Sequence, residues 1–372
     1  MSTHHMSKKS KPNDDVMFEY TGEDVPDNVT HARIHPNVSK IEHNAFFNKQ
    51  HLREVVFNDD LREIGNCAFN ECSSLQSISN IPSTVIKIGH CAFEGCSNLR
   101  EVVLNEGLKE IDSDAFRKCT TLQSITIPST VKEIDVCAFI RCTGLTEVVL
   151  NEGLRKIEIG TFADCTSLES ITLPSTLIEI GPESFRDCTN LRTVVMNDGM
   201  ESITFPSTVI EIKQYAFVDC HDLREVVLYN ERVEIGDKAF TDCTSLERFK
   251  FPRLSTRLEN IIRAGQRGIE AKMDDINAVE WRAGELIIPA VHREMEIEDD
   301  VWGAETLVDV DKEKLDKIVR LVRYYEIKEA STLFELALWK TKIDQLDDAT
   351  SNRDSCRIEV PGPVKDAILK YL

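Results

Sequence analysis

The chain has 372 residues and a formal net charge of -20, from 64 acidic and 44 basic residues. Residues 1–254 contain 39 acidic and 26 basic residues, and residues 255–372 contain 25 acidic and 18 basic residues. Both parts are therefore acidic. This excludes nucleic acid and anionic membranes as expected partners, because phosphate binding needs clustered Lys and Arg. The sequence has no apolar run of about 18 residues, and its first 15 residues lack the apolar core of a signal peptide, so we expect a cytoplasmic protein, with a nuclear location left open by Lys8, Lys9 and Lys11.

Residues 1–28 are polar, and we expect them to form a disordered N-terminal tail. A repeating unit of about 23 residues then extends over residues 29–254, with one marker phenylalanine in each unit. A unit of this length cannot bury its apolar face alone, so successive units must stack into a solenoid. The marker phenylalanines are Phe46, Phe69, Phe93, Phe116, Phe139, Phe162, Phe185, Phe217 and Phe240.

Each unit contains two short apolar segments joined by a turn. Segments such as Ile125, Thr126 and Ile127 alternate with a period of two, which predicts a short strand whose first and third residues point inward. The turn sequences NEG and PST end these strands, and a pair such as Val131 and Ile134 then brings apolar side chains in from the other side. The segment FxxC predicts a short helical turn whose phenylalanine fills the space between the two walls.

The first unit differs from the others at one position, where Lys49 replaces a cysteine. A terminal repeat has one face without a neighbour, and a charge suits a solvated face. We therefore expect this unit to be the end of the stack, with Phe46 as its outermost phenylalanine.

Cysteines recur three residues after the marker phenylalanine. They are Cys72, Cys96, Cys119, Cys142, Cys165, Cys188, Cys220 and Cys243. Disulfides or a metal site are the alternatives, but a stacked row offers no tetrahedral ligand set, so we expect reduced, buried thiols and no cofactor or metal. Cys67, Cys91 and Cys137 precede their phenylalanine by two residues and are expected nearer the surface.

The period breaks between Phe185 and Phe217, which are 32 residues apart. A crossover between parallel strands needs about a dozen residues, so we expect Met200–Ile203 to form the second apolar segment of this unit and Thr204–Thr208 to be an extra loop.

After residue 254 the repeat stops. Residues 255–311 are predicted to be an acidic connecting region with a short helix opened by Thr256, in which the run LIIPAV has no assigned role. Residues 312–372 are predicted to be a helical C-terminal region: Leu315, Ile318, Val319 and Val322 have amphipathic spacing, and a second helix runs from about Thr332 to Leu346. The predicted fold class is α/β, a solenoid of short parallel strands and short helical turns followed by a mainly helical region.

The pattern LxxIxIPSTVxxIxxxAFxxCTSL, over residues 29 to about 252, resembles the BspA-like class of leucine-rich repeats. The segments LVRYYEIKEASTLFELALWKTKID and RIEVPGPVKDAILKYL are similar to the C-terminal region of intracellular diatom proteins of this class. The resemblance implies a protein-interaction module without catalysis. Bacterial members of the class are often surface proteins, so a cell-surface recognition or adhesion protein is the alternative.

Function is expected on the concave face of the solenoid, where outward residues of successive strands form rows. One row alternates Glu with Ser, and the adjacent row alternates Val with Thr. The predicted partner-binding residues are Glu54, Val56, Glu101, Val103, Thr126, Glu147, Val149, Thr172, Val195, Glu225 and Val227. We expect a monomer that binds another protein, although Val, Thr and Ser also simply suit an exposed sheet. No motif supports catalysis, so an activity in residues 255–372 is the third possibility.

Overall fold

The structure is a computed structural model of the chain. It describes residues 17–78, 81–196, 210–228, 233–252, 254, 256–258, 280–282, 285–295, 305–310 and 315–324. The chain divides into two compact units, one formed by Met1–Arg248 and Ala290–Asp309 and the other by Phe249–Pro289 and Val310–Leu372.

Most of the described chain consists of short strands. In chain order they are β1 Met17–Tyr20, β2 His31–Ile34, β3 Lys40–Ile41, β4 Glu54–Val56, β5 Glu63–Ile64, β6 Ser77–Ile78, β7 Lys87–Ile88, β8 Glu110–Ile111, β9 Ser124–Ile127, β10 Glu133–Ile134, β11 Glu147–Leu150, β12 Lys156–Ile157, β13 Ser170–Leu173, β14 Glu179–Ile180, β15 Thr193–Met196, β16 Ile210–Ile212, β17 Glu225–Leu228, β18 Val233–Ile235, β19 Arg248–Lys250, β20 Glu280–Arg282, β21 Glu285–Met295 and β22 Glu305–Val310. Residues 315–324 are helical.

The strands of the repeats form three sheets. Strand β1 and the first segments of the units form two sheets, with the strand orders β1-β2-β4-β6 and β9-β11-β13-β15-β17-β19. The second of these sheets continues through β21 to β20, and β22 pairs with β21. The second segments make one sheet from β3 to β18. Neighbouring repeat strands are parallel and in register, as in Val148 beside Ile125 and Ile157 beside Ile134. The predicted solenoid of stacked parallel strands is confirmed.

The inward residues of both strand sets are buried, as the alternation predicts. Ile125 and Ile127 are buried while Thr126 between them is exposed. Between the two walls lies a column of marker phenylalanine rings, from Phe46 to Phe240, all fully buried. Adjacent rings are 4.9 to 5.4 Å apart between centroids and stack within 17° of parallel. Each ring therefore packs against the rings before and after it.

The FxxC segments are tight turns, so the predicted short helical turn is wrong. In every described repeat, the residues two before and two after the marker phenylalanine have φ between 54° and 74°. With residues in this conformation four positions apart, alternate N–H groups of the turn donate to the next repeat, and the groups between them donate within the turn. Cys137, Phe139 and Arg141 thus donate to the carbonyls of Ile159, Thr161 and Ala163 at 2.8 to 2.9 Å. A third ladder of backbone hydrogen bonds joins the repeats along these turns.

The cysteines that follow a marker phenylalanine by three residues, called the column cysteines here, are buried free thiols, as expected. Each donates its S–H to the carbonyl of the phenylalanine one repeat earlier, for example Cys142 to Phe116 at 3.1 Å and Cys243 to Phe217 at 3.0 Å. Cys67 and Cys137 are partly exposed, whereas Cys91 is only 8% exposed, so for Cys91 the expected surface position is wrong.

The expected disordered tail and solvated cap are wrong for residues 17–28. Strand β1 pairs in parallel with β2, and Tyr20 is buried with its ring 5.2 Å from that of Phe46. Lys49 lies beside Asp27 at 2.7 Å, and its side chain is only 14% exposed. The segment is polar on average, which led to the prediction of disorder, but Phe18 and Tyr20 give it enough apolar surface to pack on the first repeat. Residues 1–16 lie outside the described residues.

The break in the period does not interrupt the stack. Strand β15 pairs with β17, and β14 pairs with β16. The second apolar segment of this unit is therefore Ile210–Ile212, which corrects the placement at Met200–Ile203; those residues and the predicted loop Thr204–Thr208 lie outside the described residues. Since regular units are 23 residues apart and this one spans 32, it carries nine extra residues.

The predicted mainly helical C-terminal region is not supported. Of residues 312–372 the structure describes only 315–324. Strands β20, β21 and β22 occupy 20 residues of the predicted connecting region 255–311, where only a short helix was expected, and LIIPAV forms part of β21. The amphipathic spacing is confirmed over residues 315–324, where Leu315, Ile318, Val319 and Val322 are buried. Thr256 does not open its helix: residues 252 and 254 are already helical, and its hydroxyl donates back to the Pro252 carbonyl at 3.1 Å. The predicted helix at 332–346 lies outside the described residues.

Candidate interaction surface on the strand face

The strand face is defined here as the outward side chains of residues 54–56, 101–103 and strands β9, β11, β13, β15 and β17. All eleven residues predicted for binding lie on it, because each alternates with a buried neighbour such as Val102, Val148 or Val226. Glu147 lies beside Ser124, and Thr126, Val149, Thr172, Val195 and Val227 follow one another in register. Both predicted rows are therefore present in the structure.

The row of Val and Thr presents apolar surface to solvent. Val103 and Val149 are 39% and 38% exposed, which places them among the few large apolar side chains of the described chain that are this accessible. Val56, Val195 and Val227 are partly exposed. An apolar stripe thus runs along the strand face, interrupted by the hydroxyls of Thr126 and Thr172.

The adjacent row carries carboxylates with two kinds of surroundings. Near the ends of the row, Glu54 lies 3.8 Å from His31 and Glu225 lies 2.7 Å from Arg248. Glu101 and Glu147 in the middle are exposed, and among the residues the structure describes neither has a cation within ion-pair distance. Among the described residues, Glu101 and Glu147 therefore carry negative charge that no nearby cation neutralises.

The sheet of second segments distributes its charges differently. Lys40, Lys87 and Lys156 lie beside Glu63, Glu110 and Glu179 of the next strand at 2.9, 2.8 and 3.5 Å. These pairs neutralise one another across neighbouring strands. In the described part of the chain, Glu101 and Glu147 in the middle of the strand face lack this compensation, so they are available to a partner.

Contacts between neighbouring NEG and PST turns, which the sequence pattern alone did not reveal, accompany the alternation of two kinds of repeat. Glu152 of an NEG turn accepts hydrogen bonds from the Ser175 N–H at 3.1 Å and hydroxyl at 2.8 Å in the following PST turn. Gly153 has φ of 117°, and a Cβ there would lie 2.3 Å from the Ser129 carbonyl oxygen. Each NEG turn therefore fits between PST turns. The same alternation places Glu on one strand and Ser on the next.

A groove of about 650 Å³ runs along the turns of five repeats, from Glu71 to Thr166. Its cations Lys118 and Arg141 lie 3.7 and 3.3 Å from carboxylate oxygens of Glu94 and Asp164. Because both cations are engaged with carboxylates, the groove has no marked preference for an anion.

None of the helices in the described part of the chain has the length and hydropathy needed to cross a bilayer.

Several solved structures are similar to this chain. A leucine-rich repeat protein from Bacteroides ovatus ATCC 8483 shares 30% identity over 59% of this chain and 62% of its own, with a TM-score of 0.47. A leucine rich cell surface protein from Faecalibacterium prausnitzii A2-165 shares 29% identity over 63% of this chain and 72% of its own, also with a TM-score of 0.47. The chain thus spans less than two thirds of the length of the B. ovatus protein. No curated protein matches it in sequence.

The BspA type leucine rich repeat region matches residues 25–144, 78–192 and 193–262. These matches jointly cover residues 25–262, well over half of the chain. The marker phenylalanines, the column cysteines and the parallel strands from β2 to β19 all lie within them. The chain therefore belongs to the BspA-type leucine-rich repeat family.

Proposed function

We propose that the chain is a non-catalytic protein-interaction module, or scaffold, that binds another protein through the strand face. The observation that carries this proposal is the pair of in-register rows: exposed Val103 and Val149 lie beside Glu101 and Glu147. Exposed apolar side chains next to uncompensated charge are a typical feature of interaction surfaces.

The chemistry of the two rows specifies the partner. An apolar stripe favours a partner with extended apolar surface, and the carboxylates favour Lys or Arg along one edge of it. Ser between successive Glu roughly doubles the spacing of the carboxylates from about 4.8 Å, the distance between strands. This spacing lowers their mutual repulsion and leaves room for one cationic side chain at each.

The proposed location is the cytoplasm, with the chain as a monomer. Its support is the set of free cysteines, since an oxidising compartment favours disulfides. The resemblance of the C-terminal segments to those of intracellular diatom proteins is part of the same proposal.

The test is capture of partners by the immobilised full-length protein, followed by identification by mass spectrometry. Glu101→Lys combined with Glu147→Lys should abolish capture of the specific partner, because both substitutions place a cation opposite the partner's basic edge. Glu225 is left unchanged, since replacing it would also break its ion pair with Arg248. The thermal melt should hardly change, because exposed charges contribute little to stability.

The matched control is Glu42→Lys combined with Asp237→Lys. Both residues are exposed and lie outside the strand face, and the change in net charge is the same. This control should capture the partner as well as the wild type does. Equal loss in both double variants would mean that binding depends on net charge only, and equal capture by all three proteins would place the binding site elsewhere.

Recognition at a cell surface is the second candidate, and the F. prausnitzii protein is described as a cell surface protein. The same face would serve either role. Labelling intact cells with a membrane-impermeant reagent separates the two, since only a surface protein is modified before lysis.

A further inference from the structure

A cluster of metal-ligating side chains lies on the turns of two consecutive repeats, away from the strand face. Cys67, Cys91 and Asp114 each precede their marker phenylalanine by two residues and have φ of 54° to 56°. One ligand atom each from His90, Cys91 and Asp114 lies within 4.8 Å of the others. The shared backbone conformation brings residues 23 or 24 apart in sequence to one place.

His90 is oriented as a metal ligand would be. Its Nδ1 lies 3.0 Å from the Ser113 carbonyl oxygen and 2.8 Å from the Ser113 hydroxyl. The carbonyl can only accept, so we assign the ring proton to Nδ1. This tautomer leaves the Nε2 lone pair facing the Cys91 Sγ at 3.2 Å. A backbone carbonyl that fixes the tautomer and ring orientation is the usual outer support of a metal-bound histidine.

Asp114 supplies the third ligand atom from the next repeat. It engages Arg117 through Oδ1 at 3.1 Å, which leaves Oδ2, 4.0 Å from the His90 Nδ1, as a ligand atom. The Cys67 thiol of the preceding repeat lies beside that of Cys91 but outside this ligand set.

The repeats themselves show that the arrangement is particular to this place. His43 occupies the position of His90 two units earlier and makes the same contact, from Nδ1 to the Asn66 carbonyl at 2.9 Å. Its Nε2, however, lies against the side-chain amide of Asn44 instead of a thiol. Cys137 occupies the position of Cys91 two units later, but Val136 precedes it in place of a histidine.

We propose that His90, Cys91 and Asp114 bind a thiophilic divalent cation such as Zn²⁺, with water in the fourth position. Zinc takes four N, S and O ligands at about 2.0 to 2.3 Å, which places tetrahedral ligand atoms about 3.3 to 3.8 Å apart. The three ligand atoms lie within 4.8 Å of one another and reach this geometry with side-chain movements of roughly 1 Å. Binding releases the Cys91 thiol proton to solvent as the thiolate forms, and it requires no oxidant. The ion would join two consecutive repeats as a clamp.

The test uses the full-length protein, reduced and treated with a chelator that is then removed. Co²⁺ should bind one ion per chain and produce a thiolate-to-cobalt charge-transfer band, which Zn²⁺ should abolish by displacement. His90→Ala and Cys91→Ser should each weaken Zn²⁺ binding at least about tenfold in competition with a chromophoric chelator. Zn²⁺ should raise the melting temperature of the wild type and have a much smaller effect on these variants.

The matched controls are His43→Ala and Cys137→Ser, which change the same residue types at equivalent positions. Both should bind Zn²⁺ as the wild type does, and circular dichroism confirms that all variants are folded. The absence of a charge-transfer band in the reduced wild type would overturn the proposal. So would Zn²⁺ binding that survives both His90→Ala and Cys91→Ser, because the ion would then be held elsewhere.

Discussion

The column cysteines are small buried groups whose thiols each complete a hydrogen bond. The Cys142 S–H donates to the Phe116 carbonyl, and burial raises the pKa of Cys142 from 9.0 to about 12. Burial likewise raises the pKa of Cys72 to about 12, and those of Cys96, Cys119 and Cys165 lie well above the ordinary value. In the folded chain these thiols therefore keep their protons at pH values at which unfolded thiols lose them.

We predict that stability falls steeply above about pH 9. The unfolded thiols ionise near pH 9.0 and the folded Cys142 only near 12, so in this window the unfolded state binds fewer protons and is favoured as the pH rises. Each such thiol contributes a slope of about 1.4 kcal/mol per pH unit. The measurement is the free energy of unfolding by urea at several pH values from neutral to alkaline.

Cys142→Ser isolates one thiol, since the serine hydroxyl can donate to the same carbonyl but does not titrate in this range. Its unfolding free energy should decline with pH less steeply than that of the wild type, by about 1.4 kcal/mol per unit. Identical slopes would show that the Cys142 thiol ionises equally well in both states.

At the scale of the element, β1 closes the N-terminal end of the stack. Tyr20 continues the phenylalanine column beyond Phe46, and the Glu42 N–H donates to its hydroxyl at 3.4 Å. Phe46 consequently has an aromatic neighbour on both sides, at 5.2 and 4.9 Å. It is an internal member of the column, as Phe139 is.

We predict that Phe46→Ala and Phe139→Ala each destabilise the fold by about 3 to 5 kcal/mol, because both rings are fully buried and their removal leaves a cavity. The control is Phe47→Ala, next in sequence but 48% exposed, which should cost much less. Urea unfolding curves measure all three. A small loss for Phe46→Ala would mean that residues 17–28 do not close this end of the column in solution.

At the scale of the molecule, the stack tolerates an insertion because its ladders continue past it. Strands β14 and β15 pair with β16 and β17 although nine extra residues lie between β15 and β16. Removing residues 197–205 would leave TVVMPSTVIEI, which matches SITLPSTLIEI of the preceding repeat. The deletion thus restores the regular 23-residue unit.

We predict that this deletion preserves the fold and raises its stability by up to about 1 kcal/mol, because a shorter connection costs less closure entropy. The melting temperature and the urea unfolding curve of the deletion variant, compared with those of the wild type, test this prediction. A deletion of nine residues inside a regular unit, such as 151–159, is the control and should destabilise the chain strongly. Loss of the fold in the 197–205 deletion would show that the extra residues are required by the stack.

The spacing of residues determined much of this architecture. Phe139, Cys142 and Leu145 are buried in a unit of fixed length, so the core column and the outward positions of Glu147 and Val149 follow from the period. These features are local: the alternation of a strand and the recurrence of an apolar residue fix which side chain points inward.

Only the tertiary structure decided the features that depend on contacts between repeats. The strand at Met17–Tyr20 exists because β2 offers it an edge, and the left-handed backbone of Cys67 and Cys91 exists because their N–H groups donate to the next turn. The approach of His90 and Cys91 to Asp114 in the following repeat has the same origin. Such contacts join residues 14 to 24 positions apart, and the energy of pairing across that distance outweighs the local preferences that a sequence displays.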